Sequence, residues 1–331
     1  MQKRIAILGD GGWGTALALL LNENGHGVTV WGPFPDYIEA VKNARENTLY
    51  LPGIPLPPSI RWTADRADAV RGADAVVLAS PTRFFREVVT SFADLIPSET
   101  LVVSVAKGFD EKSGERMTEV AEDVLRRPFV CALSGPSLAP EVARKTPTAV
   151  VIASPEDDAS FELQQLFSSS RFRVYTSRDT TGVELGGALK NIMALAVGVS
   201  DGLGFGDNTR AALITRGLAE IMRLGCALGA QRATFSGLSG MGDLIVTCTS
   251  RWSRNRGVGE RLGKGETLDA ILASMKQVAE GVWNCPIARD LAREMNVDVP
   301  IIDEVHAILH EGKSPRDAVA SLLARELKPE D

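Results

Sequence analysis

Lys190 is a charge in an apolar setting. Between Leu185 and Ser200 it is the single formally charged side chain, with Gly187, Ala188 and Leu189 before it and Asn191, Ile192 and Met193 after it. A buried ammonium is costly unless paired, and burial moves its pKa down toward neutrality, where a proton-transferring lysine works. Taken alone, the stretch favours a plainer reading, a lysine whose stem lies along apolar surface while its head reaches water. Lys107 follows the run "LVVSV" at the carboxyl end of a predicted strand, where α/β sheets place their ligands. In isolation it also reads as a solvated loop lysine. The segment "RWSRNRGVGERLGK" (251–264) sets five basic residues against one acid in a chain of net charge -6. Within it Ser253, Arg254 and Asn255 offer a hydroxyl, a bidentate guanidinium and an amide in succession, a set suited to a phosphate dianion. The alternative is a solvated basic helix face.

A glycine-rich segment supplies a second kind of chemistry. "RIAILGDGGWGTALALLLNENGHGVTVW" holds Gly9-x-Gly11-x-x-Gly14 between a predicted strand and a helix, with a second strand after it. Glycines there allow a tight turn, then a close approach of backbone to pyrophosphate, then close helix–strand packing, and the helix N-terminus adds unpaired N–H groups. In this context the pattern predicts a dinucleotide. The end of the second strand normally separates NAD from NADP, through an acidic residue for the ribose 2′-hydroxyl or an arginine for a 2′-phosphate. Here it reads "VWGPFPD", with neither residue type from Trp31 to Pro35. NAD and NADP both stay open.

These groups need a scaffold, and the hydrophobic pattern outlines one. "RIAIL" (4–8), "GVTVW" (27–31), "AVVLA" (75–79), "LVVSV" (101–105), "FVCAL" (129–133) and "TAVVIA" (148–153) are short apolar runs of the kind that form buried parallel strands, with helical patterns such as 14–24 and 112–126 between them. "NTLYLPGIPLPPSI" (47–60) carries four prolines and reads as an extended loop. After "RFRVYTS" (171–177), read as the last strand of the sheet, the periodicity turns helical, over 181–198, 209–229, 267–274, 287–295 and 302–311. The expected fold is α/β: an N-terminal Rossmann-like doubly wound sheet over residues 1–178, binding the dinucleotide, and a C-terminal mainly α-helical domain over 179–331.

Composition narrows the function classes. At 331 residues, with 44% hydrophobic and 24% charged side chains, the chain is globular, and its acidic balance argues against a nucleic-acid binder. Four scattered cysteines and three histidines form no metal-ligand spacing, so no metal is expected. The apolar run near the start is too short for a signal core or a membrane span, which makes the cytoplasm the expected compartment.

"GALKNIMALAVGVSDGLGFGDN" (187–208) closely resembles the signature of the NAD(P)-dependent glycerol-3-phosphate dehydrogenases, and "NTLYLPGIPLP", "VAKGFD", "SGPSLAPEVA", "LSGMGDLIVTCTSRWSRNRGVG" and "VAEGVWN" are similar to that family's segments in the expected order. The resemblance implies reversible hydride transfer between NAD(P)H and dihydroxyacetone phosphate, giving sn-glycerol 3-phosphate for phospholipid synthesis. It makes Lys190 the general acid/base, gives Lys107 a substrate and nicotinamide-side role, and lets Asp243 orient Lys190 or the substrate hydroxyl. It assigns Gly135, Ser137, Ser253, Arg254 and Asn255 to the substrate. Gly9, Gly11, Gly12, Trp13, Gly14, Tyr50, Lys107, Ala139, Arg254, Val278 and Glu280 fall on cofactor positions. A homodimer through the helical domain is also implied. Other two-domain reductases, acting on β-hydroxyacids or 6-phosphogluconate, share the glycine-rich start and a helical-domain lysine, and a catalytically inert dinucleotide sensor would lack the proton donor or the phosphate cluster.

Overall fold

The computed structural model describes residues 2–275, 278–327 and 329–330. Eight strands, β1 (Arg4–Leu8), β2 (Gly27–Trp31), β3 (Arg61–Thr63), β4 (Ala75–Leu78), β5 (Leu101–Ser104), β6 (Cys131–Ser134), β7 (Thr148–Ala153) and β8 (Phe172–Ser177), form one sheet in the order β3-β2-β1-β4-β5-β6-β7-β8. Strand alternation sends neighbouring side chains into separate cores. Ile5 and Ile7 join one apolar cluster with Val28, Val30, Val77 and Val103, while Ala6 and Leu8 join another with Val76, Leu78 and Val102. In the central strands both faces are buried, so they read as continuous apolar runs, whereas the edge strand β8 alternates buried and exposed residues.

Helices α1 (Gly12–Glu23), α2 (Pro35–Ala44), α3 (Arg66–Val70), α4 (Thr82–Phe92), α5 (Met117–Leu125), α6 (Ala139–Ala143) and α7 (Asp157–Phe167) connect these strands. Two features correct the sequence-based outline. The 148–153 run is a strand, but β7 pairs antiparallel with β6, Leu133 opposite Ile152, and parallel with β8, so the sheet is mixed. β3 was not expected at all; it holds three residues, just past the proline-rich loop. That loop is irregular as expected, pinned by buried Leu51, Ile54, Leu56 and Ile60.

From Thr180 onward the described chain is helical: α8 (Thr180–Gly202), α9 (Asp207–Ala227), α10 (Asp243–Thr249), α11 (Arg254–Gly263), α12 (Leu268–Ala273), α13 (Glu280–Glu294), α14 (Pro300–His310) and α15 (Pro315–Leu323). α8 begins at Asp179, whose carboxylate accepts from Gly182 N at 2.9 Å. Every residue from Gly182 to Leu195 is buried. Among the described residues α8 is the one helix long and apolar enough to cross a membrane, but 94% of its most apolar window lies inside the protein, as in the central helix of a globular core. Buried Glu184 ties it to the sheet half, accepting from Thr118 N at 2.9 Å and from Arg116.

The backbones of α8 and α11 cross in close contact because four glycines face one another. A Cβ on Gly198 would strike the Arg256 carbonyl, one on Gly202 the Glu260 carbonyl, one on Gly259 the Leu195 carbonyl and one on Gly263 the Val199 carbonyl. Helix propensity alone gives Gly→Ala a gain of about 1 kcal/mol. Here the new methyl meets backbone that cannot move aside, and overpacking costs about 1–3 kcal/mol or more. Gly259→Ala should therefore lower stability, measured as a reduced urea midpoint at unchanged m-value. An unchanged or raised midpoint would show that the crossing relaxes freely.

Candidate active site

The site lies at the carboxyl ends of the parallel strands, beside the point between β1 and β4 where the strand order reverses direction. Gly9 turns the chain out of β1 with φ of 136°, and a Cβ there would fall 2.6 Å from the Ala79 carbonyl oxygen after β4. Gly14 lies against the Gly9 carbonyl, where a side chain would clash. Gly11, the N-cap of α1, differs: a Cβ added to it would meet nothing within 4 Å. The loop thus opens a bare backbone to solvent at a helix N-terminus, the geometry a pyrophosphate requires. Gly12 packs under Tyr50, a Cβ there lying 2.7 Å from the Tyr50 carbonyl oxygen and 3.9 Å from the Ala139 side chain. These three cofactor candidates form one wall. Trp13 Nε1 is buried and has no hydrogen-bond partner. An open loop with an orphaned donor beside it fits a dinucleotide.

Past β5, Lys107 reaches across to the helical half. Its Nζ donates to the Gly135 carbonyl at 3.0 Å and to Asp243 Oδ2 at 2.7 Å. Gly135, with φ of 137°, directs that carbonyl inward, and Ser137 Oγ donates to the same oxygen at 2.9 Å. The Lys107 stem passes over α8 at Gly187, where a Cβ would fall 3.3 Å from Lys107 Cγ and 2.8 Å from Ser134 Oγ. On the other side of the carboxylate, Lys190 Nζ donates to Asp243 Oδ1 and, at 2.8 Å, to Thr247 Oγ1. Asp243 is 1% exposed and Lys190 6%. One buried carboxylate therefore holds two ammonium groups, one on each oxygen. It opens α10 as its first residue and is not the cap, a position taken by Gly242.

Burial drives the Lys190 ammonium down to a pKa of about 7, the Asp243 charge resists, and Lys107 adds repulsion. That leaves Lys190 poised to give or take a proton near neutrality. Thr247 was missed in the sequence, although its spacing of four from Asp243 puts both on one face of α10. Its hydroxyl donates to the Asp243 carbonyl at 2.6 Å, which leaves a lone pair for the ammonium.

The basic segment 251–264 is largely neutralised by its neighbours. Arg256 pairs with Asp201 at 2.6 Å, Lys264 with Glu260 at 2.6 Å and Arg261 with Glu266 at 2.5 Å. Arg251 and Arg254 have no ion pair among the described residues, and Arg251 lies instead over the Trp252 ring. Arg254 is exposed, and the nearby Glu280 carboxylate favours its charge. Ser253 caps α11 by accepting from Arg256 N at 3.2 Å, which leaves its hydroxyl proton free to donate. Asn255 is committed more deeply. Its amide donates to Asn191 Oδ1 at 2.9 Å and accepts from Gly281 N at 2.9 Å, joining α8, α11 and α13.

Glu280 bridges the two halves, accepting from Thr82 N at 3.3 Å and from the Thr82 hydroxyl, and burial raises its carboxyl pKa. Asn284, fully buried and also missed, donates to the carbonyls of Lys107 and Ala188, both at 3.4 Å. Val278, just before α13, is partly buried.

Two family models account for most of the chain: the N-terminus of NAD-dependent glycerol-3-phosphate dehydrogenase over residues 4–160 and its C-terminus over 179–320. The chain belongs to this family. It is 46% identical to the glycerol-3-phosphate dehydrogenase (NAD(P)+) of Citrifermentans bemidjiense, an alignment covering 100% of this chain and 99% of the relative. With the enzyme of the same name from Geobacillus kaustophilus it shares 48% identity over 99% of this chain and 96% of the relative. The crystal structure of glycerol-3-phosphate dehydrogenase from Coxiella burnetii superposes with a TM-score of 0.95 at 40% identity, covering 98% of this chain and 99% of that one. A ketopantoate reductase from Ralstonia eutropha, at 16% identity and a TM-score of 0.63, shares the fold alone. Membership of the glycerol-3-phosphate dehydrogenase family makes the chain an NAD(P)-dependent oxidoreductase acting on a CH–OH group.

Thr247 carries a prediction for this dehydrogenase. A hydrogen bond to a charged group contributes about 1.5–3 kcal/mol, equivalent to about one to two pKa units. Thr247→Val removes an acceptor that favours the charged ammonium, so the Lys190 pKa should fall below its present value of about 7. The matching limb in the pH profile of kcat/KM should move to lower pH by about one unit or more. A limb that stays in place would separate Thr247 from the titrating group.

Proposed function

We propose that this chain reversibly transfers hydride between NAD(P)H and dihydroxyacetone phosphate, forming sn-glycerol 3-phosphate, with Lys190 as general acid/base. The observation that carries the proposal is the Lys107–Asp243–Lys190 bridge: two ammonium groups on one buried carboxylate, at the strand ends where ligands bind. When bound, the reduced nicotinamide supplies hydride to the carbonyl carbon. The carbonyl oxygen then gains negative charge and needs a proton. Lys190 supplies it from its ammonium, becoming a neutral amine that water reprotonates. Lys107 stabilises the oxygen as its charge develops, and Asp243 holds both cations in place. In the oxidative direction the neutral Lys190 amine takes the hydroxyl proton.

Substrate selection follows from charge. Arg254, free of an ion pair among the described residues, and the Ser253 hydroxyl suit the phosphate dianion. Asn255 lies beside them, and its bridge between helices holds that segment in position as well as offering its amide. Gly135 and Ser137 border the Lys107 end. Residues 1–178 would carry the cofactor, through Gly9, Gly11, Gly12, Trp13, Gly14, Tyr50 and Ala139, with Val278 and Glu280 contributed from the helical half. Residues 179–331 would carry the proton donor and phosphate site. The proposal extends to a cytoplasmic homodimer that supplies glycerol phosphate for phospholipid synthesis.

Loss of absorbance at the reduced-nicotinamide band on mixing with dihydroxyacetone phosphate tests the reaction directly. Activity with neither NADH nor NADPH would overturn it. Reduction uses protonated Lys190, whose pKa is about 7. Its kcat/KM should fall as pH rises through that value, while glycerol-phosphate oxidation should rise. Lys190→Ala should cost at least about a hundredfold in kcat, with cofactor affinity retained. Arg254→Ala should act chiefly on substrate KM, by about tenfold or more, since a charged hydrogen bond is lost.

A further inference from the structure

The acidic residue that usually reads the ribose 2′-hydroxyl stands at the end of the second strand. β2 ends at Trp31, and Gly32, Pro33, Phe34 and Pro35 follow. None can accept that hydrogen bond through a side chain. A carboxylate is nevertheless present in the right place, delivered from a different segment. Gly9 N donates to the Trp31 carbonyl at 3.0 Å, which draws the glycine-rich loop alongside the end of β2. Asp10, the next residue, then sets its carboxyl against Gly32. A Cβ on Gly32 would fall 2.6 Å from Asp10 Cγ, so only glycine fits after β2 while Asp10 occupies that space.

The placement is built into the fold. Asn47, fully buried, donates to the Asp10 backbone carbonyl at 2.7 Å and to Thr15 Oγ1 at 2.7 Å, fixing the loop against α1. Asp10 is 8% exposed, and its Oδ2 is buried with no hydrogen-bond partner. Burial raises its pKa, countered only by its own backbone N–H, while Tyr37 and Tyr50 feel its charge. No cation pairs with it among the described residues. Leaving such a carboxyl unsatisfied costs free energy, and a hydroxyl donor from a ligand would remove that cost.

We propose that Asp10 is the cofactor-discriminating residue: its carboxylate accepts a hydrogen bond from the adenosine ribose 2′-hydroxyl of NAD(H) and repels the 2′-phosphate of NADP(H). The inference rests on the dinucleotide-binding role proposed above and adds the preference for NAD(H). It places the specificity group on the glycine-rich loop, with Gly32 as the opening that admits it. Asp36, in the first turn of α2 and exposed, is the competing carboxylate.

Dissociation constants for NADH and NADPH, measured by fluorescence titration without substrate, test this directly. The unaltered protein should favour NADH by about tenfold or more. Asp10→Asn keeps the shape and removes the charge. It should shrink that ratio by about tenfold, mostly through tighter NADPH binding, whereas Asp36→Asn should leave the ratio unchanged. With 2′-deoxy-NADH, the unaltered protein should lose affinity and Asp10→Asn should lose little more. A preference for NADPH, equal weakening of both cofactors by Asp10→Asn, or a ratio that responds to Asp36 instead would each overturn the proposal. Binding of neither cofactor by the unaltered protein would refute the dinucleotide role itself, a result distinct from these.

Discussion

Asp243 is the constraint around which the two halves of the molecule are arranged. A carboxylate that is 1% exposed needs partners, and both are lysines from elsewhere in the chain, Lys107 136 residues away and Lys190 53 away. The two ammonium groups would repel each other without the charge between them. With it, they share a small volume and carry a net positive charge. A carbonyl oxygen acquiring negative charge is favoured beside that excess, more than in water, because the surroundings are already oriented and poorly screened. The shared charge acts on both lysines, and burial sets them apart. Burial governs Lys190, whereas Lys107 keeps more exposure and enters from the sheet.

Keeping Lys107 in reach requires the sheet half and the helical half to hold a fixed separation. Three buried or partly buried polar contacts span them: Glu184 with Arg116 and Thr118, Glu280 with Thr82, and Asn284 with the carbonyls of Lys107 and Ala188. Each leaves a costly unpaired group if the halves part, which favours one docked arrangement over many. Gly108 completes the fit. A Cβ there would fall 2.6 Å from Asn284 Oδ1, so the residue after Lys107 must be small for the Asn284 clasp to close.

Much of this could be read from residue order. Continuous apolar runs located six of the eight strands to within about two residues, because burial on both faces removes alternation, and the alternating run 171–177 located β8. The direction of β7 was not readable, since a buried strand has the same composition whichever way it runs. β3 is too short for any periodicity. At the site, Lys190 stood out because charge is rare in a buried helix, while Thr247 and Asn284 did not, because a threonine or asparagine signals nothing until its partners are known. The basic run 251–264 overstated its own charge. Asp201, 55 residues before Arg256, neutralises that arginine through a contact that local sequence cannot reveal.

The glycines of α8 show how a helix can pay in propensity for position. Gly186, Gly187, Gly198 and Gly202 each weaken the helix by about 1 kcal/mol relative to alanine, a sum the core around them must offset. They do so in two pairs. Near the N-terminus, Gly186 admits the Ser239 carbonyl, 2.5 Å from an added Cβ, and Gly187 admits the stem of Lys107. Near the C-terminus, Gly198 and Gly202 admit the backbone of α11, whose first residue is Arg254. The proposed oxyanion-side cation and phosphate-side cation are thus both located against one helix, which also carries Lys190 between the two pairs. A rigid rod with close contacts at each end fixes the spacing between them more tightly than two independent loops could, and that spacing is what the proposed substrate, a small phosphorylated ketone, would have to match.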